Sequence, residues 1–176
     1  MLSHGRGLAA LCALALVLAS GVARGDVVLL GTTVKGELIV RDPIRGDSAN
    51  LYDPANNVGT EGVPPTGYQN SPDAFNSPTV VVSGSAIEFG YRDPINLITA
   101  DFTTSGLVLT VDVPTGALPL TFRFTDTAFA GQPFGLVSSS DLHGTSLSYG
   151  IAGNVLTIDT GQFLTGDNYS MTFAFS

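Results

Sequence analysis

Two runs of alternating apolar residues, joined by a turn, constrain the fold of this chain more than any other feature. Every second residue is apolar from Leu107 to Val113 and again from Leu118 to Phe124. A period of two places each apolar set on one face of a β-strand. The intervening Pro114–Ala117 has turn chemistry. The pattern therefore predicts an antiparallel hairpin with one buried face.

Short strands are predicted along most of the remaining chain as well. Turn residues separate them at intervals of about 8 to 12 residues, and no stretch after residue 25 keeps a helical period over a length of about ten residues. A further hairpin is expected at Ala152-Gly153. The sequence predicts an all-β fold with almost no helix, an antiparallel, jelly-roll-like β-sandwich of about nine short strands.

The first 25 residues have the three-part pattern of a secretory signal peptide. A short segment with Arg6 precedes the apolar run Leu8–Leu18, and small residues lead to a cut before Asp26, with a cut after Ala23 as the alternative. The apolar run is too short for an ordinary membrane span, and no second apolar segment follows it. The sequence thus predicts a secreted, extracellular protein whose residues 26–176 form one β-sandwich domain.

Cysteine and charge exclude several kinds of function for the exported part. Cys12 lies inside the signal, so disulfides, thiol nucleophiles and thiolate metal sites are excluded after cleavage. All fifteen acidic residues but only five of the seven basic residues follow Gly25, which gives a net charge of about −10. Such a surface repels nucleic acid and anionic lipid. We expect no nucleic-acid partner and no membrane span in the mature form.

The segment Asp42–Pro78 departs from the strand pattern. It contains six of the ten prolines and many asparagines and glycines. Long irregular loops on a β scaffold often carry function, so this segment is the predicted place for binding. Tyr52 and Tyr68 could stack on sugar rings, which makes them the candidate glycan-binding residues.

The same segment offers oxygen ligands of the kind that calcium prefers. Candidate calcium ligands are Asp42, Asp47 and Asp53. The spacing is not that of an EF-hand, so the alternative is a solvated loop without metal. No cofactor other than calcium is expected.

A catalytic site is not indicated by the sequence. His143, which follows Ser138–Asp141, is the one histidine after residue 25. A catalytic triad, however, is defined by spatial geometry rather than by clustering in sequence, and a Gly-x-Ser-x-Gly nucleophile motif is absent. Glycoside hydrolysis needs two carboxylates at a set separation, and nothing singles out such a pair. We predict a non-enzymatic protein, with a small glycoside hydrolase as the alternative.

Several β patterns in the second half of the chain resemble those of a known class of exported domains. They lie between Pro78 and Ser176 and comprise Val80–Phe89, Ala100–Phe102 leading into Leu107–Leu109, Phe122–Asp126, Gly153–Ile158 and the Tyr169 strand. The resemblance is to the extracellular β-domains of bacterial exosortase-sorted (PEP-CTERM) proteins, without their C-terminal Pro-Glu-Pro tag, membrane span and basic tail. It implies an exopolysaccharide or biofilm-matrix setting and supplies no catalytic residues.

These observations define the expected function. The chain is predicted to be an exported, non-enzymatic, extracellular or biofilm-matrix-associated β-sandwich protein whose partner is an extracellular polysaccharide or another matrix protein. The alternative is a glycan-binding module that uses the 42–78 loop with the support of calcium.

Overall fold

The computed structural model describes residues 29–53, 78–84, 86–92, 95–164 and 168–176. The predicted signal peptide and most of the 42–78 loop lie outside them. The described part contains one short 3-10 helix, Thr127–Phe129, and ten strands. These are β1 (Thr33–Val40), β2 (Thr79–Val81), β3 (Phe89–Arg92), β4 (Leu97–Phe102), β5 (Gly106–Asp112), β6 (Leu120–Thr125), β7 (Phe134–Ser139), β8 (Leu147–Ala152), β9 (Val155–Thr160) and β10 (Asn168–Phe175).

The strands form two five-stranded antiparallel sheets that pack against each other. The first sheet has the order β2-β1-β6-β9-β8, and the second has the order β3-β4-β5-β10-β7. The predicted all-β sandwich is thereby confirmed. Within the residues that the structure describes, there is no helix with the length and apolarity that a membrane crossing needs.

The predicted hairpin between the two alternating runs is wrong. β5 is the central strand of the second sheet and pairs with β4 and β10. β6 is the central strand of the first sheet and pairs with β1 and β9. The connection 113–119 therefore crosses from one sheet to the other, and Leu109 and Phe122 are both fully buried in the core between the sheets. Alternation identifies the buried face of a strand but not its hydrogen-bonding partner.

The hairpin predicted at Ala152-Gly153 is confirmed. β8 and β9 pair directly up to Ala152 and Val155, and Gly153 takes a φ of 61° in the two-residue turn. Glycine has no Cβ, so it adopts this left-handed conformation without strain. By contrast, β2 and β3 follow each other in sequence but lie in different sheets, so the chain crosses the sandwich there as well.

Aromatic side chains from both sheets fill one part of the core. The ring centroids of Phe102 in the second sheet and Phe124 in the first are 5.0 Å apart in an edge-to-face arrangement. Phe89 contacts both rings, and Phe129 stacks on Phe102 at 6.0 Å. Complete burial of each such side chain contributes about 1.5 to 3 kcal/mol, so this cluster is a principal source of stability.

Candidate functional site

Tyr52, one of the two predicted glycan-binding residues, lies in the core. It is 2% exposed, and its ring centroid lies 5.3 Å from that of Phe89 and 6.4 Å from that of Phe124. Burial raises the pKa of its hydroxyl far above the ordinary value. A ring enclosed in this way presents no face to a sugar, so the structure does not support the stacking role. Tyr68 lies outside the described residues.

The local chain explains why Tyr52 is buried. The side-chain oxygen of Asn50 accepts hydrogen bonds from Leu38 N and Tyr52 N, both at 3.0 Å, and its amide donates to the Gly36 carbonyl at 3.1 Å. Asn50 thus fastens the start of the loop along β1. Gly36 has no side chain, and a Cβ there would lie only 2.5 Å from the Phe89 ring. The space above β1 is therefore available to aromatic rings.

Two of the candidate calcium ligands, Asp42 and Asp47, have side chains engaged in other contacts. Asp42 Oδ1 accepts hydrogen bonds from Ile44 N at 2.8 Å and Arg45 N at 3.0 Å. These bonds, and to a lesser degree the charge of Arg45, lower the pKa of Asp42. Asp47 forms an ion pair with Arg41 at 3.2 Å, and Asp53 N donates to the Asn50 carbonyl. Among the described residues, no three His, Cys, Asp or Glu side chains form a group that could hold a metal ion.

His143 and its neighbours form a turn. His143 has a φ of 46°, its backbone N–H donates to Asp141 Oδ1 at 2.8 Å, and its Nε2 lies 3.6 Å from Asp141 Oδ2. The Ser140 hydroxyl accepts a hydrogen bond from Ser170 N at 2.9 Å, which ties this serine to β10. Turn geometry accounts for the clustering of Ser140, Asp141 and His143 in this segment.

The structure brings together two carboxyl groups that the sequence did not single out. Glu88 is 3% exposed; its Oε1 accepts from Ser83 N at 3.1 Å and its Oε2 from Phe102 N at 2.8 Å. Asp101 lies beside it. Burial, the charge of Glu88 and a hydrogen bond with Glu88 raise the pKa of Asp101 to about 6. Because both Glu88 oxygens accept hydrogen bonds from backbone N–H groups, Glu88 connects β4 to the residues that follow β2.

This pair predicts a specific pH dependence of stability. The ordinary pKa of an aspartate is 3.8, and that of Asp101 in the fold is about 6, so the folded chain holds more protons than the unfolded chain between these values. The contribution of Asp101 to the free energy of unfolding should be full below about pH 4 and should decline as the pH rises to about 6. Solvent screening around the half-buried Asp101 keeps this contribution modest.

Urea denaturation of the natural protein and of Asp101→Asn at several pH values measures this contribution. The difference in stability between the two proteins should change between about pH 4 and 6 and stay constant above about pH 7. A constant difference across the whole range would contradict the prediction. Asp141→Asn, which changes an exposed aspartate, is the control.

A groove of about 580 Å³ opens beside the end of β6. It forms because β6 lies between β1 and β9, which brings the start of β1, the 3-10 helix and the β8–β9 turn together. Asp126 N donates to the Asn154 carbonyl at 3.0 Å and links two of these elements. The groove is lined by Thr32, Thr33, Thr125, Asp126, Thr127, Ala128 and Asn154.

Two oxygen atoms of the groove residues lack protein hydrogen-bond partners. Asp126 is 7% exposed, and its Oδ1 accepts from Ala128 N at 2.9 Å and the Thr127 hydroxyl at 3.4 Å. Its other carboxylate oxygen, Oδ2, is buried and unpartnered, as is the hydroxyl oxygen of Thr32. Leaving a buried polar group without a partner costs about 1 to 3 kcal/mol. Two oxygen atoms of the groove residues, one just before β1 and one just after β6, are therefore available for further hydrogen bonds.

Sequence reasoning did not find this groove. Asp126 follows a strand and precedes Thr127, which is the ordinary pattern of a capping aspartate. The Asp126 side chain does cap the 3-10 helix: it accepts a hydrogen bond from Ala128 N, and the backbone of Asp126 is extended. Thr32 lies more than ninety positions earlier in the chain, so no local pattern indicates that it lines the same groove as Asp126.

Comparison with protein-family models, with curated proteins and with solved structures finds no significant match. The resemblance to exosortase-sorted proteins therefore stays an expectation from the sequence.

Proposed function

We propose that this chain is an exported, non-enzymatic β-sandwich protein of the extracellular matrix, and that it acts by binding an extracellular polysaccharide. Export is inferred from the signal-peptide pattern of residues 1–25. The binding site is the groove beside Asp126, and not the aromatic residues of the loop. The observation that carries the proposal is the buried Asp126 carboxylate oxygen without a protein partner at an open groove.

The composition of the groove favours binding over catalysis. Of its seven lining residues, four are threonines, and Asp126 is the single carboxylate. Glycoside hydrolysis ordinarily uses two carboxylates on opposite sides of the scissile bond. The close carboxyl pair of the fold, Glu88 and Asp101, does not line this groove, and the oxygens of Glu88 are engaged by backbone N–H groups. Among the described residues, the groove thus offers groups that can hold a ligand but not the pair of carboxyl groups that such cleavage ordinarily uses.

Co-sedimentation of the chain from Asp26 to Ser176, which contains all ten strands, with a panel of insoluble extracellular polysaccharides tests this proposal. We expect saturable binding to at least one polymer, with equal binding in calcium and in chelator. Asp126→Asn should weaken it, whereas Tyr68→Ala should leave it unchanged. Absence of saturable binding to every polymer would overturn the polysaccharide proposal, and release of shortened chains from a polymer would overturn the non-enzymatic one.

A further inference from the structure

We infer that the groove recognises a neutral saccharide hydroxyl group through two residues, with Asp126 Oδ2 as the acceptor and the hydroxyl of Thr32, the residue before β1, as the second contact. This inference rests on the proposed function and names the ligand chemistry and the residues of its site.

The unpartnered oxygen of Asp126 can bind only a hydrogen-bond donor. An aspartate carboxylate only accepts hydrogen bonds, so Oδ2 needs a donor. The other oxygen, Oδ1, is held by Ala128 N, which fixes the carboxylate on the 3-10 helix. A fixed charged acceptor makes stronger hydrogen bonds than a neutral one. A ligand hydroxyl that donates to Oδ2 would therefore contribute both affinity and orientation.

The groove lining fits a hydroxylated ligand better than a cation. Calcium takes about six to eight oxygen ligands, usually with several carboxylates among them. The groove supplies one carboxylate, and half of it is already engaged by Ala128 N and the Thr127 hydroxyl. Threonine hydroxyls both donate and accept, as sugar hydroxyls do. The lining of Thr32, Thr33, Thr125 and Thr127 is therefore matched to a polyhydroxylated, uncharged ligand.

Access to the two oxygen atoms requires side-chain movement. Oδ2 of Asp126 and the hydroxyl oxygen of Thr32 are both covered by neighbouring atoms. The Thr32 hydroxyl makes no protein hydrogen bond, so rotation of this side chain breaks none. Thr32 precedes β1 by one residue, and its backbone carbonyl accepts a hydrogen bond from Val82 N at 2.9 Å. A ligand can reach these oxygens only when the atoms that cover them move, and rotation of the Thr32 side chain leaves the backbone pairing intact.

NMR titration of the chain from Asp26 onward with small neutral sugars tests the inference. The probes are glucose, galactose, mannose and their disaccharides, with calcium chloride as a separate titration. We expect a sugar to shift the backbone amides of Thr32, Ala128 and Asn154. Asp126→Asn, which keeps Oδ1 as the acceptor for Ala128 N, should weaken this binding about tenfold or more. Thr32→Val should weaken it about three- to tenfold.

Two controls keep a folding defect from being read as a loss of binding. Asp141→Asn changes an exposed aspartate of another turn and should bind sugar as the natural protein does. Each variant should also retain the amide dispersion of the natural protein in its NMR spectrum. A variant that loses this dispersion is replaced by Thr33→Val, which alters an exposed lining residue and should reduce affinity less than Thr32→Val does.

The outcomes distinguish this inference from the proposed function. Polysaccharide binding that Asp126→Asn weakens but Thr32→Val leaves unchanged overturns the two-residue inference while the proposed function stands. Polysaccharide binding that neither variant changes overturns the inference and also the groove as the proposed binding site. Groove shifts by calcium but not by any sugar also overturn it. Sugar shifts at the groove without binding to any polymer support the inference and overturn the polysaccharide proposal. An absence of response to sugars, calcium and polymers overturns both.

Discussion

A Tyr52→Ala variant is expected to lose about 3 to 5 kcal/mol of unfolding free energy, as truncation of a buried aromatic side chain commonly does. The ring fills the space between Phe89 and Phe124, so its removal leaves a cavity within the aromatic cluster. Tyr52→Phe should instead raise the free energy of unfolding. The Tyr52 hydroxyl is buried without a hydrogen-bond partner, and its removal should stabilise the fold by about 1 kcal/mol.

Urea denaturation at neutral pH measures both changes. Tyr149→Phe is the matched control, because Tyr149 is 42% exposed and loss of an exposed hydroxyl should change stability by less than about 0.5 kcal/mol. If Tyr52→Ala were as stable as the natural protein, the ring would not belong to the core. A role of Tyr52 in sugar stacking would then have to be reconsidered.

The buried faces of the strands were predictable because alternation depends only on local sequence, whereas the strand partners were not. In a sandwich, the inner faces of both sheets have the same period of two. The length of the connection is a better guide to whether two consecutive strands pair with each other. The two-residue turn at Gly153 reaches roughly 7 to 10 Å, too little to reverse direction and cross the approximately 10 Å between packed sheets. The seven residues from Val113 to Pro119 between β5 and β6 reach more than about 20 Å.

The site was less predictable than the fold, for a related reason. The composition of its loop predicts that Tyr52 belongs to a binding surface, but composition does not reveal that Asn50 binds that loop to β1. The groove combines Thr32, Asp126 and Asn154, which are distant in sequence. Their proximity depends on the order β1-β6-β9 within the first sheet, and no local pattern encodes that order.

Replacement of Glu88 should be the most damaging polar substitution that the described structure suggests. Glu88→Ala would leave the buried Phe102 N–H without its acceptor and would remove the link to Ser83. We expect a loss of about 2 to 4 kcal/mol, because an unsatisfied buried donor and a small cavity act together. Glu88→Gln should cost less, about 1 to 2 kcal/mol, since its single carbonyl oxygen can serve Phe102 N but not Ser83 N as well.

Glu88→Gln also distinguishes the electrostatic role of this residue from its packing role. The charge of Glu88 is one of the causes that raise the pKa of Asp101, so its removal should lower that pKa toward the ordinary value, while burial still holds it above that value. Urea denaturation from pH 4 to 7 should accordingly show a weaker decline of stability with rising pH than in the natural protein. An unchanged pH profile in Glu88→Gln would mean that burial alone sets the protonation of Asp101, and that the two carboxyl groups are neighbours without being coupled.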